Sequence, residues 1–141
     1  MKIAIIGAGA AGWFCAVELK RRMPSASVDV FEAGPKALAK VAITGGGRCN
    51  LTNSFEGISS LSAAYPRGDK LMKRLFRSCD QRSAWQWFEN EGVRLVLQED
   101  SCVFPASQDA MEIVNTLLSG MRRAGVALHT SHRVSGISPC P

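Results

Sequence analysis

No stretch of this 141-residue chain is long and apolar enough to span a bilayer. The longest apolar run lies near the N-terminus and is broken by glycines, well short of the roughly 20 residues a spanning helix needs. Only Lys2 precedes it, so it also lacks the basic start of a signal peptide, and the expected location is cytoplasmic. No C-x-x-C occurs. The five cysteines (Cys15, Cys49, Cys79, Cys102 and Cys140) are odd in number and irregularly spaced, which fits reduced thiols and argues against a disulfide framework or a zinc site. The two histidines, His129 and His132, are near each other but have no further ligand partners, so no metal is expected and they read as strand-edge or surface residues. There is no internal repeat and no low-complexity tract. Acidic residues are outnumbered 12 to 17, giving a net charge of +5. That suits an anionic partner without requiring nucleic acid. With 46% hydrophobic residues, the composition is that of an ordinary globular chain of about one domain.

What is present begins at Ile3-Ala4-Ile5-Ile6-Gly7-Ala8-Gly9-Ala10-Ala11-Gly12, with Glu32 twenty residues beyond Gly12. Ile3 to Ile6 reads as a buried parallel strand. Gly7 turns the chain out of it, Gly9 lets backbone N–H groups approach a pyrophosphate, and Gly12 permits close packing of the next helix on the sheet. That helix offers its N-terminal dipole and free N–H donors to phosphate. A second strand ending in Phe31 delivers Glu32 to a ribose edge, where a carboxylate accepts hydroxyl hydrogen bonds and repels a 2′-phosphate. NADP is therefore disfavoured at this first site, while NAD and FAD both remain open. The preceding strand, following helix, second strand and correctly spaced acid together raise a common glycine pattern to a dinucleotide-binding βαβ unit.

The rest of the chain continues an α/β pattern. Helix one spans about Ala10 to Arg22, with Trp13, Phe14, Val17 and Leu19 making apolar contacts, and strand two spans about Val28 to Glu32. Lys36 to Ile43 reads as a short helix or turn running into a strand, and Ser54 to Gly68 as a surface excursion. Two helices follow over 69–91. Leu71, Met72, Leu75, Phe76 and Cys79 share a face of the first, and Asp80 caps the second, which turns Ala84, Trp87 and Phe88 inward. Val93 to Leu97 and Cys102 to Phe104 read as strands that can pair as a hairpin through Gln98–Ser101. A helix over 107–125 has Ser107 as its cap, a stripe of Met111, Val114, Leu117, Leu118 and Met121, and Gly125 at its close. Val126 to Thr130 and Arg133 to Ile137 are expected strands. The chain then stops abruptly at Ser138-Pro139-Cys140-Pro141, which suggests an incomplete version of a larger protein.

The second informative segment is Thr44-Gly45-Gly46-Gly47-Arg48-Cys49-Asn50-Leu51-Thr52-Asn53. Three consecutive glycines cannot sustain a helix, because each costs ~1 kcal/mol relative to alanine. They make a loop that allows close backbone approach. Arg48 offers a charged fork to phosphate or ribityl oxygens. Asn50 and Asn53 carry both donors and acceptors, as the uracil-like edge of a flavin requires. The plainer alternative is a surface loop of turn formers.

Taken with Lys36-Ala37-Leu38-Ala39-Lys40 and Cys102-Val103-Phe104-Pro105-Ala106-Ser107, the Gly7–Gly12/Glu32 pair and the string GGGRCNLTN resemble the BaiN-like (YhiN-like) family of bacterial flavoproteins, a branch of the glutathione-reductase-like FAD folds. The likeness covers essentially the whole chain, and GGGRCN is its most specific part. It implies a Rossmann-like α/β FAD-binding domain with a mostly parallel sheet, of which residues 1–141 are the N-terminal part. The inserted and C-terminal segments of the family are absent. The likeness also implies non-covalent FAD, NAD(P)H as electron donor, and reduction of carbon–carbon double bonds, named in the family for 3-oxo bile acid intermediates. By position, Gly7, Ala8, Gly9, Ala11 and Gly12 would hold the FAD pyrophosphate. Glu32 would hold the adenosine ribose, with Ala33 and Lys40 nearby. Gly46, Gly47, Arg48, Cys49 and Asn50 would approach the ribityl chain and flavin, and the backbone of Val134 would contact adenine.

Cys49 invites comparison with disulfide reductases that use C-x-x-x-x-C, but the partner position is Ser54, so dithiol chemistry is rejected and Cys49 reads as a small packed residue. Lys70, Lys73, Arg74 and Arg77 form a basic stripe on a helix whose other face is apolar. The simplest reading of that stripe is solvated surface rather than a nucleic-acid interface. The expected reaction is hydride transfer from NAD(P)H through the flavin to an enone-type or other oxidised small molecule. The rival readings are an NAD-dependent dehydrogenase domain, which leaves residues 44–53 unexplained, and a non-catalytic module. Substrate identity, the choice of NADH or NADPH, the proton donor and the oligomeric state are not written in these motifs.

Overall fold

The computed structural model of the protein describes residues 1–139. In chain order its elements are β1 (Lys2–Ile6), α1 (Ala10–Arg22), β2 (Ser27–Phe31), β3 (Thr52–Asn53), α2 (Leu61–Ala64), α3 (Asp69–Phe76), α4 (Gln81–Asn90), β4 (Leu95–Leu97), β5 (Cys102–Pro105), α5 (Ala110–Arg123) and β6 (Ala127–His129). They fall into two units. One comprises Met1–Ile43 and the chain from Ile113 onward, and the other comprises Thr44–Glu112.

The first unit is built on a parallel sheet in the order β1-β2-β6. Ile3 pairs with Val28 and Ile5 with Val30, so these four side chains share one face. Val28 and Val30 are fully buried there, because α1 packs on β1 and β2. The expectation of a wholly buried β1 is corrected: Ala4 and Ile6 point to the other face and are exposed, so the strand alternates.

Trp13 is the anchor of α1. It is 1% exposed, and its indole Nε1–H donates to the Leu117 carbonyl of α5. Ala16 and Val17 are buried beside it on α1, whereas Phe14 is largely exposed and does not join the core as expected. In α5 the buried positions are Ala110, Ile113, Val114, Leu117 and Met121, a helical period shifted from the predicted stripe. Met111 is 44% exposed and Ile113 is inside in its place. The helix also starts later than predicted. The Asp109 carboxylate, not Ser107, accepts the Met111 N–H at 2.8 Å, while the Ser107 hydroxyl bonds the Glu112 carboxylate.

Arg133 to Ile137 forms no strand. The segment is exposed throughout and pairs with no strand among the described residues. An isolated strand leaves its backbone donors and acceptors unmet, so without a partner the segment cannot hold one. Cys140 lies outside the described residues.

The second unit carries an antiparallel sheet, β3-β5-β4. The β4–β5 hairpin is as expected, with Val96 opposite Phe104 and Leu97 opposite Val103. Its turn closes through Ser101 N–H to Gln98 O at 3.0 Å. β3 was not foreseen. It is two residues long, lies inside the segment read as a loop, and pairs Thr52 with Val103. Asp80 caps α4 as predicted, accepting the Ser83 N–H at 2.8 Å while the Ser83 hydroxyl engages the Asp80 N–H. In α3 the inward side chains are Met72 and Phe76, and Phe76 meets Phe55 edge-on at 5.6 Å. Leu71 and Leu75, predicted on the apolar face, are each half-exposed. They are turned about 100° from Met72 and Phe76 on the helical wheel.

No described helix is long and apolar enough to cross a membrane, and no metal-ligating cluster of three His, Cys, Asp or Glu occurs among the described residues.

Candidate functional site

In the first unit the glycine turn leaves β1 at Gly7, whose φ is +99°, and the Gly7 N–H is held by Phe31 O at 2.7 Å. Ala8 follows, fully buried, and its carbonyl accepts the Leu38 N–H at 2.9 Å. Gly9 is the N-cap of α1 and supplies no side chain to the helix end. The first turn of α1 also contains no acid. Its N–H donors are therefore free of any competing anion from their own helix, the arrangement that receives phosphate. Gly12 seats α1 against the turn. A Cβ there would lie 2.0 Å from the Gly7 carbonyl oxygen, so only hydrogen fits.

Glu32 ties this turn to the end of β2. One carboxylate oxygen accepts the Ala8 N–H at 2.9 Å and the other accepts the Gly34 N–H at 2.8 Å. Its own backbone is held on both sides, N–H to His129 O and carbonyl to the His132 N–H, each at 2.8 Å. The Gly34 and Ala8 amides hold the carboxyl below its ordinary value of 4.5, with Lys40 adding a smaller electrostatic pull. Because the folded value is depressed, the stability this clamp contributes is in force above pH 4.5 and is lost as pH falls through the lower folded value. Two of the roughly four lone-pair sites of the carboxylate are taken by backbone, so the others remain for hydroxyl donors.

Gly7, Ala8, Gly9, Ala11, Gly12 and Glu32 are thus gathered around one turn, with Ala33 and Lys40 alongside and exposed. Val134 is in the irregular exposed tail of the same unit, not in the strand expected to carry it. His129 lies on β6, an edge strand, and His132 is exposed just beyond it, as the strand-edge or surface reading expects. The His129 ring stacks on Phe31 at 4.8 Å and bonds the Asp29 carboxylate at 2.8 Å. Spacing alone carried no sign of this, because β2 and β6 meet across about a hundred residues of chain.

In the second unit the triple glycine forms a left-handed turn, with Gly45 at φ +57°, ψ +31° and Gly46 at φ +68°, ψ +32°. The expectation that these glycines make a loop holds, since Thr44 is extended and breaks the helical run before them. A Cβ on Gly45 would lie 2.6 Å from the Asn50 N–H nitrogen, and its φ is one that L side chains rarely adopt. The turn is closed by Cys49 N–H to Thr44 O at 2.9 Å.

Arg48 lies with its guanidinium carbon 4.4 Å from the centroid of the Phe104 ring and donates to Gln108 Oε1 at 3.2 Å. That fork is oriented before any ligand arrives. Phe104 was expected on a strand and Gln108 was not singled out, and nothing local links either to Arg48. Asn50 is exposed and donates to Cys102 Sγ at 3.2 Å. Gly46 is exposed and Gly47 partly so, and neither has a neighbour where a side chain would stand.

Cys49 is 5% exposed, and burial pushes its thiol above the usual range. A thiol of this kind is a poor nucleophile. Iodoacetamide is expected to label the exposed Cys15 and Cys79 in the native protein and to spare Cys49 until the fold is lost. Peptide mapping that finds Cys49 labelled as fast as Cys15 would refute the packed reading.

The family model described as "HI0933-like protein Rossmann domain" matches residues 1–139. The 3-dehydro-bile acid delta(4,6)-reductase of Clostridium scindens is 26% identical over 136 residues, covering 96% of this chain and 32% of the reductase. A ribosomal RNA dihydrouridine synthase from Haemophilus influenzae is 53% identical over 49 residues, covering 35% of this chain and 12% of the synthase. The chain therefore spans at most about a third of the length of these curated relatives. Among solved structures, Thermovibrio ammonificans THI4 superposes with a TM-score of 0.57 at 15% identity, over 92% of this chain and 38% of that one, which speaks to the fold alone. With the parallel βαβ unit, the glycine turn and a family model spanning nearly every residue, the chain belongs to the HI0933-like family and carries its Rossmann domain.

Proposed function

We propose that the chain is the FAD-binding portion of a flavin-dependent oxidoreductase that reduces a carbon–carbon double bond conjugated to a carbonyl, with NAD(P)H as hydride donor. The observation that carries this reading is the Glu32 clamp, with its remaining lone pairs beside the uncapped N-terminus of α1. A side-chain-free helix start accepts a pyrophosphate, and a fixed carboxylate one strand away accepts ribose hydroxyls. These features fit the adenosine diphosphate half of the cofactor, held by Gly7, Ala8, Gly9, Ala11, Gly12 and Glu32, with Ala33, Lys40 and the Val134 backbone at its margin. Gly46, Gly47, Arg48, Cys49 and Asn50 would serve the ribityl and ring end. The pre-set Arg48 fork suits an oxyanion or a carbonyl oxygen, and the exposed Asn50 amide suits an imide edge. Bound FAD would supply the hydride chemistry, which belongs to the cofactor.

Chemistry common to the two curated relatives supports this substrate class. Saturating the double bonds of a 3-oxo-Δ4,6 steroid and saturating the C5–C6 bond of uracil both add hydride to carbon conjugated with a carbonyl. A second reading within this class, a uridine in RNA as substrate, is favoured by the 53% identical segment of the RNA-modifying relative.

The test is to heat-denature the purified protein and identify the released nucleotide by chromatography. FAD is expected. Release of NAD alone, or of no nucleotide, would overturn the reading in favour of a dehydrogenase-type or non-catalytic module. Glu32→Gln is expected to lower FAD occupancy at least about tenfold, since it trades a charged acceptor for an amide whose NH₂ faces a backbone N–H.

A further inference from the structure

We infer that the outer ridge of α3 is a docking surface for the phosphate backbone of RNA, which rests on the proposed reductase reading with a uridine substrate. Charge in this chain is strongly localised. Residues 67–77 contain five basic residues, Arg67, Lys70, Lys73, Arg74 and Arg77, against the single acid Asp69, in a chain whose total is +5. A net +4 of the chain's +5 therefore sits on 11 of its 141 residues.

On the helix, Lys70, Lys73, Arg74 and Arg77 recur at positions 0, 3, 4 and 7, which places them on one ridge about 10 Å long. All four are exposed. Lys73 is partly spoken for, at 3.2 Å from Asp69. Lys70, Arg74 and Arg77 have no ion pair among the described residues, so a ridge of three uncompensated cations remains.

Leu71 and Leu75 flank this ridge, each 50% exposed, while Met72 and Phe76 hold the opposite side inward. A row of cations edged by modest apolar surface suits a polynucleotide strand, whose phosphates meet the cations and whose riboses or bases cover the leucines. An anionic membrane is the weaker fit, because an eight-residue helix with two half-exposed leucines buries too little apolar area to hold at an interface. RNA is favoured over DNA because uracil is the base that the proposed chemistry reduces.

Three phosphate contacts predict a salt slope near −2 in log K against log salt for a single strand, so a fourfold rise in salt should cost about twentyfold in affinity. The experiment measures binding of the purified protein to a fluorescent uridine-rich single-stranded RNA across a salt series. A parallel titration uses mixed phosphatidylglycerol–phosphatidylcholine vesicles, and flavin absorbance is recorded on every sample.

The expected results are a slope near −2 for the wild type, flattening toward zero with at least about tenfold weaker binding in Lys70→Gln/Arg74→Gln/Arg77→Gln, and no change in Arg21→Gln/Arg22→Gln, which alters exposed cations on α1. An unchanged slope in the triple variant, a wild-type slope near zero, or vesicle binding that outlasts RNA binding as salt rises would overturn the docking surface. Because the wild-type slope is itself diagnostic, a triple variant that misfolds does not remove the test. Loss of the ridge effect with flavin retained defeats the docking surface alone. Ridge-dependent RNA binding by a protein without flavin defeats the reductase reading instead.

Discussion

Gly12→Ala is expected to destabilise the first unit severely and to abolish the proposed nucleotide binding. The added methyl would sit 2.0 Å from the Gly7 carbonyl oxygen and 3.4 Å from Ile5 Cγ2. The first of these neighbours is backbone, so no rotamer change relieves the clash. Either α1 must lift from the sheet or the turn must move. Inserting atoms into a packed interior ordinarily costs 1–3 kcal/mol, and a contact this short against backbone belongs at or above about 3 kcal/mol. The movement that relieves the clash also displaces the N–H groups of Gly7 and Ala8, which Phe31 O and Glu32 hold.

The companion variant separates packing from ligand. Gly9 has φ −79°, which alanine adopts without strain, and a Cβ there meets nothing within 4 Å. Gly9→Ala should unfold at the wild-type urea midpoint yet place a methyl where phosphate would lie, lowering FAD content about tenfold or more. Urea titration and cofactor extraction on the two variants give the answer. If Gly12→Ala kept the wild-type midpoint, or Gly9→Ala kept its full flavin, the division of labour within the turn would be wrong.

Trp13→Ala is the second large effect. The side chain is 1% exposed, and its indole N–H is bonded to Leu117 O. Gly120 is the floor of its pocket: a Cβ at that position would come within 3.0 Å of the indole ring. Truncating a buried aromatic costs about 3–5 kcal/mol, the upper range applying where neighbours cannot close the hole. Here the pocket lies between α1 and α5, against Leu117 and Gly120. A domain has about 5–15 kcal/mol in total, so the variant is expected to be largely unfolded at moderate urea. The readout is the midpoint of urea unfolding, with a large fall and an unchanged slope. A shift equivalent to under about 1 kcal/mol would show that Trp13 does not join α1 to α5.

These effects rest on features that differ in how well the chain announces them. The βαβ opening was legible because its constraints are local: glycines at fixed offsets, an apolar strand before them, an acid after the second strand. The hairpin of β4 and β5 was equally legible, and Asp80 marked the start of α4 by its chemistry. What escaped depends on partners distant in sequence. α5 was foreseen but its phase was not, since Met111 and Ile113 are equally apolar and nothing in the local pattern says which turns inward. β3 exists because β5 offers it an edge. Arg133 to Ile137 was expected as a strand, but no such edge is offered to it among the described residues. Arg48 was singled out for its charge, while the ring and amide that aim it lie more than fifty residues away.

The two amides on Glu32 have a thermodynamic consequence. Since the carboxylate fastens Ala8 and Gly34 within the protein itself, the conformational freedom of the glycine turn is surrendered when the chain folds rather than when a ligand arrives. A visiting nucleotide meets a rigid receptor, so the entropic penalty of association falls mainly on the visitor.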